Sequence, residues 1–411
     1  MIYVDYAKRR YEAAIKEIER LEQSEFPYAH ISDALLQLKK LFLGQLAQLN
    51  KLTAKSTPLI AKNACSQSLT YLFRYSPFLG FILRATNVRN AFELYAPVLR
   101  LARCLLGPTT KLLFSSEWEY SPFVYLPTND LPECVLIGIP ALESANPLVI
   151  SLAGHELGHN IWSVRNLEAK YETLLRDEVL IVIKTTFWPD FQKYCTQATE
   201  DNLISDMFVR QAWLPILAFA KRQLEEVFCD IMGLRLFAEA YLHSFAYLLS
   251  PFLPGKRTPS YPTIRDRVEY MLKVAASMGI NVPDGYVDLF DIQSLQSDPV
   301  TDLLVGITDK VVATQVNAVK DEAWNYADVK AVPTRSSTNI DKIVNDFRMV
   351  IPTDGRLPLA DVINAGWILF HDKNLWDNMP QVKENDRNRI LYDLVLKSCE
   401  VGEFMERVDS P

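Results

Sequence analysis

Near the middle of this 411-residue chain runs His155-Glu156-Leu157-Gly158-His159, and no other stretch limits the fold as sharply. A helix turns about every 3.6 residues, so positions four apart share a face, roughly 6 Å apart along the axis. Two imidazoles so placed converge on one tetrahedral zinc ion, and the glutamate between them reaches toward an open coordination position. The surroundings predict a helix. Asn146-Pro147 supplies a start with proline in the first helical position, and Leu148, Ile150, Leu152, Leu157 and Ile161 supply apolar faces. The plainer reading is an amphipathic core helix that carries two histidines by chance. The chain has only 5 histidines, and two of them flanking a glutamate at this spacing weigh against chance.

A zinc ion held this way needs a third protein ligand. The segment Glu225-Glu226-Val227-Phe228-Cys229-Asp230-Ile231-Met232-Gly233 offers one. Glu226 and Asp230 are four apart and share a helix face, so one can bind metal while the other orients a ligand histidine. Glu225 is turned by about a hundred degrees and is expected to face elsewhere. An exposed acidic pair is the plainer alternative, but the apolar neighbours imply burial, and buried carboxylates require partners.

Together these residues resemble the gluzincin metallopeptidases, in particular the CAAX prenyl proteases and their soluble relatives. That family places a Ser/Thr-His-Pro-Pro-x-x-x-Arg-Ile segment after the glutamate helix, and Ser260-Tyr261-Pro262-Thr263-Ile264-Arg265-Asp266-Arg267-Val268 follows its order and spacing, with Tyr261 where the family often has histidine. The resemblance covers roughly residues 115–275. It implies that His155, His159 and Glu226 bind Zn²⁺, that Glu156 is the general base, and that Asp230 fixes a ligand histidine, His155. It also implies that Tyr261 and Arg267 contact the oxyanion of the tetrahedral transition state; a tyrosine hydroxyl can donate there.

Composition narrows the remaining classes. A hydrophobic share of 49% with 23% charged residues describes an ordinary globular chain. The net charge of -7 argues against nucleic acid as a partner, because phosphate binding needs a basic stripe. The first residues lack a secretory apolar segment, and no window has the length needed to cross a bilayer. The nearest candidate, Leu236 to Leu253, contains Glu239 and His243. The 6 cysteines form no C-x-x-C pair and no N-x-S/T acceptor occurs, so a cytoplasmic setting is expected.

Periodicity divides the chain into three regions. Residues 1–113 are helical: a hairpin with a break at Phe26-Pro27, then aromatic-rich helices from Ser68 to Gly107. The hairpin is a packing layer, with a substrate gate or dimer arm as alternatives. Residues 114–285 form the metallopeptidase core. It opens with strands over Trp118–Leu126 and Cys134–Ile139 around the turn at Pro127–Asp130; such a hairpin either completes a sheet or offers an edge to an extended peptide. Breaks are expected at Phe187-Trp188-Pro189, and a helix over Ile264–Ser277 stops at Gly279. Residues 286–411 read as alternating short helices and turns, with no catalytic set. His243 reads as a core histidine, Cys229 as a buried structural thiol, and His30 and His371 lack metal-spaced neighbours.

The expected fold is therefore α+β and mainly α-helical, a zincin-type core with a small β-sheet and helical additions. The expected function is a zinc-dependent metalloendopeptidase acting on protein or peptide substrates. A second reading keeps the fold and metal in a catalytically weak or inactive protein that serves as a regulatory or binding module. The helical ends would then carry contacts with a regulatory partner or a second copy.

Overall fold

A computed structural model of the chain describes residues 2–26, 29–52, 56–85, 92–117, 123–125, 131, 133–250, 257–290, 298–372, 374–377, 379 and 381–409. The architecture is α+β and mainly α-helical. Among the described residues no helix is long and apolar enough to cross a membrane. Compactness groups the chain differently from the three regions above: one unit contains residues 1–95 and 109–145, the other 96–108 and 146–411.

In the first unit, α1 (Ile2–Leu21), α2 (Ala29–Asn50) and α3 (Pro58–Ala85) pack on one another. The heptad-like apolar positions explain why. Ala7, Tyr11, Ile18 and Leu21 of α1 and Leu35, Leu38 and Phe42 of α2 are all buried. Tyr11 meets Phe42 edge-on, with ring centroids 5.7 Å apart, and donates its hydroxyl to the Ser68 carbonyl at 2.5 Å. The helical hairpin is thus a packing layer on α3. α4 (Phe92–Leu106) begins in this unit and continues into the second.

A three-stranded sheet completes the first unit in the order β1-β3-β2, formed by β1 (Lys111–Glu117), β2 (Phe123–Tyr125) and β3 (Cys134–Pro140). β3 is central and buried along its whole length. It pairs parallel with β1, Leu113 opposite Leu136, and antiparallel with β2, Val124 opposite Ile137. The hairpin strands expected from sequence are present as β2 and β3, while residues 118–122 and 126–130 lie outside the described residues. The hairpin and the H-E-x-x-H helix belong to different compact units.

The second unit is organised on α8 (Met207–Phe237). Asp206 caps it, accepting from the amides of Phe208 and Val209 at 2.8 and 3.1 Å. From Gln223 to Phe237 every residue is buried. Around it pack α5 (Ala153–Val164), α6 (Leu167–Thr185), α10 (Ile264–Ser277) and α11 (Pro299–Val329). α7 (Trp188–Tyr194) follows the break expected at Phe187, and α9 (Glu239–Leu249) follows α8 after a corner at Ala238. Asn146 accepts from the Leu148 amide at 3.2 Å with Pro147 at the first position, as the sequence suggests, but the first turn is a 3-10 helix that precedes α5.

α10 has the expected bounds. Thr263 caps it by accepting from the Asp266 amide at 2.9 Å, and Gly279 leaves it with φ +66°. The C-terminal part differs from expectation. Instead of short helices it contains the 31-residue α11, then α12 (Ser337–Arg348), α13 (Leu359–His371) and the 26-residue α14 (Glu384–Asp409). α11 lies along α8, and buried side chains such as Val312, Val316, Val319 and Ala323 explain its length: one continuous stripe faces the central helix.

Candidate metal centre

Three glycines let the two site helices touch. A Cβ on Gly154 would lie 2.9 Å from Gly233 Cα, and a Cβ on Gly158 would lie 2.8 Å from Cys229 Cα. The backbones of α5 and α8 therefore meet along two small-residue steps, each four positions long. His155 and His159 each follow one of the α5 glycines, so this contact also sets their register against Glu226 and Asp230.

At that register the imidazoles converge on one carboxylate. His155 Nε2 lies 3.5 Å from Glu226 Oε2, and His159 Nε2 lies 3.8 Å from Glu226 Oε1. The two rings stand nearly perpendicular, with centroids 5.0 Å apart. Each far ring nitrogen has its own carboxylate: His155 Nδ1 meets Asp230 Oδ1 at 2.9 Å, and His159 Nδ1 meets Glu225 Oε1 at 2.8 Å. An ionised carboxylate only accepts, so each Nδ1 carries the hydrogen and Nε2 presents its lone pair in the neutral ring. Glu225 thus has a role the sequence reading did not give it. Its turn away from Glu226 aims it at the second histidine.

Asp230 is the hub behind His155. Besides the histidine it accepts Arg267 Nε on Oδ2 and Arg267 Nη2 on Oδ1, both at 2.7 Å, and the Tyr241 hydroxyl on Oδ1 at 2.8 Å. The charge and hydrogen bonds of Arg267, with His155, overcome burial and hold this carboxyl well below its ordinary range. Burial works against a charged His155 as well, but its hydrogen bonds to Asp230 and Glu226 raise its pKa to about 10 in the metal-free site. Burial opposes the ionisation of Glu226 too, yet the His155 hydrogen bond and neighbouring positive charge lower its pKa. Burial raises that of Glu156; electrostatic interaction with His155, His159 and Arg267 offsets part of the effect, and the Glu226 carboxylate adds to it. A carboxylate made more basic in this way is suited to accept a proton.

The expected oxyanion pair is placed unevenly. Arg267 gives Nε and Nη2 to Asp230, stands over the Phe245 ring at 5.2 Å, and lies close enough to Glu156 and Glu226 for its charge to lower both. Tyr261 is 42% exposed, and its side chain interacts electrostatically with Arg222. Arg222 in turn donates to Glu225 Oε2 at 2.8 Å and approaches Glu226 Oε1 at 3.6 Å. Gln223 donates to the Pro259 carbonyl at 2.9 Å, and Arg257 donates to the carbonyls of Thr258 and Tyr261, so the segment bearing Tyr261 is tied down at several points.

The donor set suits a metal ion. With metal–ligand bonds of about 2.0–2.1 Å, tetrahedral ligand atoms stand about 3.4 Å apart, and the two Nε2 atoms lie 3.5 and 3.8 Å from the two different oxygens of Glu226. Glu156, Glu225, Glu226 and Asp230 also outnumber the nearby guanidiniums of Arg222 and Arg267, an imbalance that a divalent cation offsets. His155, His159 and Cys229 form a second candidate set, with one ligating atom of each within 4.8 Å of the others. Burial pushes the Cys229 thiol well above its ordinary pKa, and the surrounding carboxylates push it further. His155 and His159 thus have two candidate partners for a third ligand, the Glu226 carboxylate and the Cys229 thiol. His243 and His371 lie away from this group and pair with each other, Nδ1 to Nε2, at 3.1 Å. His30 meets the Tyr95 hydroxyl at 2.8 Å in the other unit.

In comparisons with known proteins, no family model, no curated protein and no solved structure matches this chain.

Proposed function

We propose that the protein is a zinc-dependent metallopeptidase that hydrolyses peptide bonds in protein or peptide substrates. The observation that carries this reading is the convergence of His155 Nε2 and His159 Nε2 on Glu226, with both Nδ1 atoms engaged by Asp230 and Glu225. The motif order shared with the CAAX prenyl proteases and their soluble relatives supports it further. In this reading His155, His159 and Glu226 hold the ion. Zinc supplies Lewis-acid chemistry, lowering the pKa of water to about 7 and polarising a carbonyl.

The chain's own residues do the rest. Glu156, raised in pKa by burial, takes the proton of the attacking water on its carboxylate and delivers it to the leaving nitrogen. Asp230 and Glu225 keep the two rings in one tautomer and orientation. Tyr261, exposed beside Arg222, donates to the oxygen that gains charge. Arg267 holds Asp230 in place and contributes positive charge near Glu156.

The test is a peptide library incubated with the zinc-loaded protein and read by mass spectrometry, with and without chelator. Cleavage that chelator abolishes, and that Glu156→Gln removes while zinc content stays at wild-type level, is the expected result. Zinc retained with no cleavage of any peptide favours the second reading, a metal-holding regulatory or binding module. One observation already leans that way: two of the Arg267 nitrogens are engaged by Asp230 rather than free for a substrate oxygen.

A further inference from the structure

Tyr241 reaches the metal centre from a third helix, and an unusual backbone corner brings it there. α8 ends at Phe237, and Ala238 adopts φ +49° and ψ −127°, a region where residues other than glycine are strained. Such a conformation persists only where its surroundings over-determine it. Here Asn364 of α13, 3% exposed, does so: Nδ2 donates to the Phe237 carbonyl at 2.9 Å, and Oδ1 accepts from the Ala240 amide at 2.9 Å. The same Nδ2 also donates to the Ala360 carbonyl at 2.8 Å, which anchors the amide to its own helix. One side chain thus spans both sides of the corner.

Three residues past the strained alanine, the Tyr241 ring lies directly over Gly233. A Cβ at that glycine would stand 2.4 Å from the ring, so only hydrogen fits. The hydroxyl then donates to Asp230 Oδ1 at 2.8 Å and stands 3.4 Å from His155 Nδ1. Arg267 grips Asp230 along one edge of the carboxylate. Tyr241 supplies a contact from a different helix, on the oxygen that faces His155. A buried hydroxyl is costly without a partner, and this one finds its partner on the atom that orients the ligand histidine.

We propose that Tyr241 is a positioning residue of the metal centre, and that Asn364 sets it by holding the strained corner at Ala238. The inference rests on the metal-centre reading of the same site. It joins helix α13 to His155 through Asn364, the 237–240 backbone, Tyr241 and Asp230. α13 lies in the part of the sequence that shows no catalytic pattern.

Zinc affinity, measured by competition with a fluorescent chelator, tests it on folded full-length protein, with the visible spectrum of the Co²⁺ form as a second readout. Loss of an outer partner typically lowers metal affinity about 10–100-fold. Tyr241→Phe, which keeps the ring and removes the hydroxyl, is expected to weaken zinc about tenfold or more and to shift the Co²⁺ bands. Asn364→Ala is expected to weaken zinc similarly. Adding Ala238→Gly to Asn364→Ala should restore most of the affinity, because glycine adopts the corner without a clamp. Wild-type affinity and an unchanged Co²⁺ spectrum in Tyr241→Phe would overturn the role of Tyr241 and leave the metal centre standing. Absence of rescue by Ala238→Gly would overturn the role of Asn364. A wild-type protein that binds no zinc would overturn the metal reading and this inference with it.

Discussion

Gly158 lies against the backbone of Cys229 so closely that a methyl group does not fit between them: its Cβ would be 2.8 Å from Cys229 Cα and 3.1 Å from Cys229 Sγ. The contact is backbone to backbone, so no side chain can swing away to relieve it. Gly158→Ala must therefore push α5 off α8. Overpacking of this kind costs about 1–3 kcal/mol, and here it also separates His159 from Glu226. Urea unfolding should show that loss of stability, and purified Gly158→Ala should hold much less zinc than wild type. Full zinc content at wild-type stability would mean the two helices do not set the site's register.

The Asp230–Arg267 pair is buried and bidentate, at 2.7 Å on both oxygens. Breaking such a pair from one side leaves an uncompensated charge, typically about 3–5 kcal/mol of destabilisation. Arg267→Met keeps the bulk of the stem and removes the charge, so it should destabilise by an amount of that order and lower zinc affinity through Asp230. Zinc titration and chemical unfolding together check this. If Arg267→Met lowered kcat alone, with stability and zinc binding unchanged, the arginine would act on substrate rather than on Asp230.

Much of this arrangement was legible in the sequence, and the misses have physical causes. The bounds of α10 follow from a threonine cap and a glycine stop, both local signals. The family resemblance implies Asp230 as the partner of His155, and the two lie 2.9 Å apart. Helix geometry turns Glu225 about a hundred degrees from Glu226, and that turn points it at His159 rather than away from the site. Two histidines on a neighbouring helix give adjacent residues of α8 different partners. β1 gave no alternation to read, since Leu112, Leu113, Phe114 and Ser115 are all buried. Tyr241 gave no signal at all. It depends on a positive φ at an alanine, where sequence reading looks for glycine, and on an asparagine far along the chain.

The metal-free site makes a pH prediction with a definite sign. Its hydrogen bonds to Asp230 and Glu226 outweigh burial and keep His155 protonated up to about pH 10, against an ordinary value of 6.5. A group whose pKa rises on folding stabilises the fold fully below its unfolded value and ceases to do so as pH passes the folded one. In chelator-treated protein, this contribution should therefore fade between about pH 6.5 and 10. Zinc needs the neutral ring, so its binding should release a proton and tighten with pH over the same interval. Thermal melts of the chelated protein and zinc titrations at several pH values measure both. Zinc affinity independent of pH across this range would remove His155 from the ligand set.

The choice between Glu226 and Cys229 as the third ligand is the point on which the account turns, and zinc-edge X-ray absorption reads it directly. Zinc–sulfur bonds are about 2.3 Å long, whereas zinc–nitrogen and zinc–oxygen bonds are about 2.0–2.2 Å. For the zinc-loaded protein the account predicts an inner shell of nitrogen and oxygen scatterers alone, with the imidazole signature of two histidines. A sulfur scatterer near 2.3 Å, or an imidazole signature missing altogether, would contradict it.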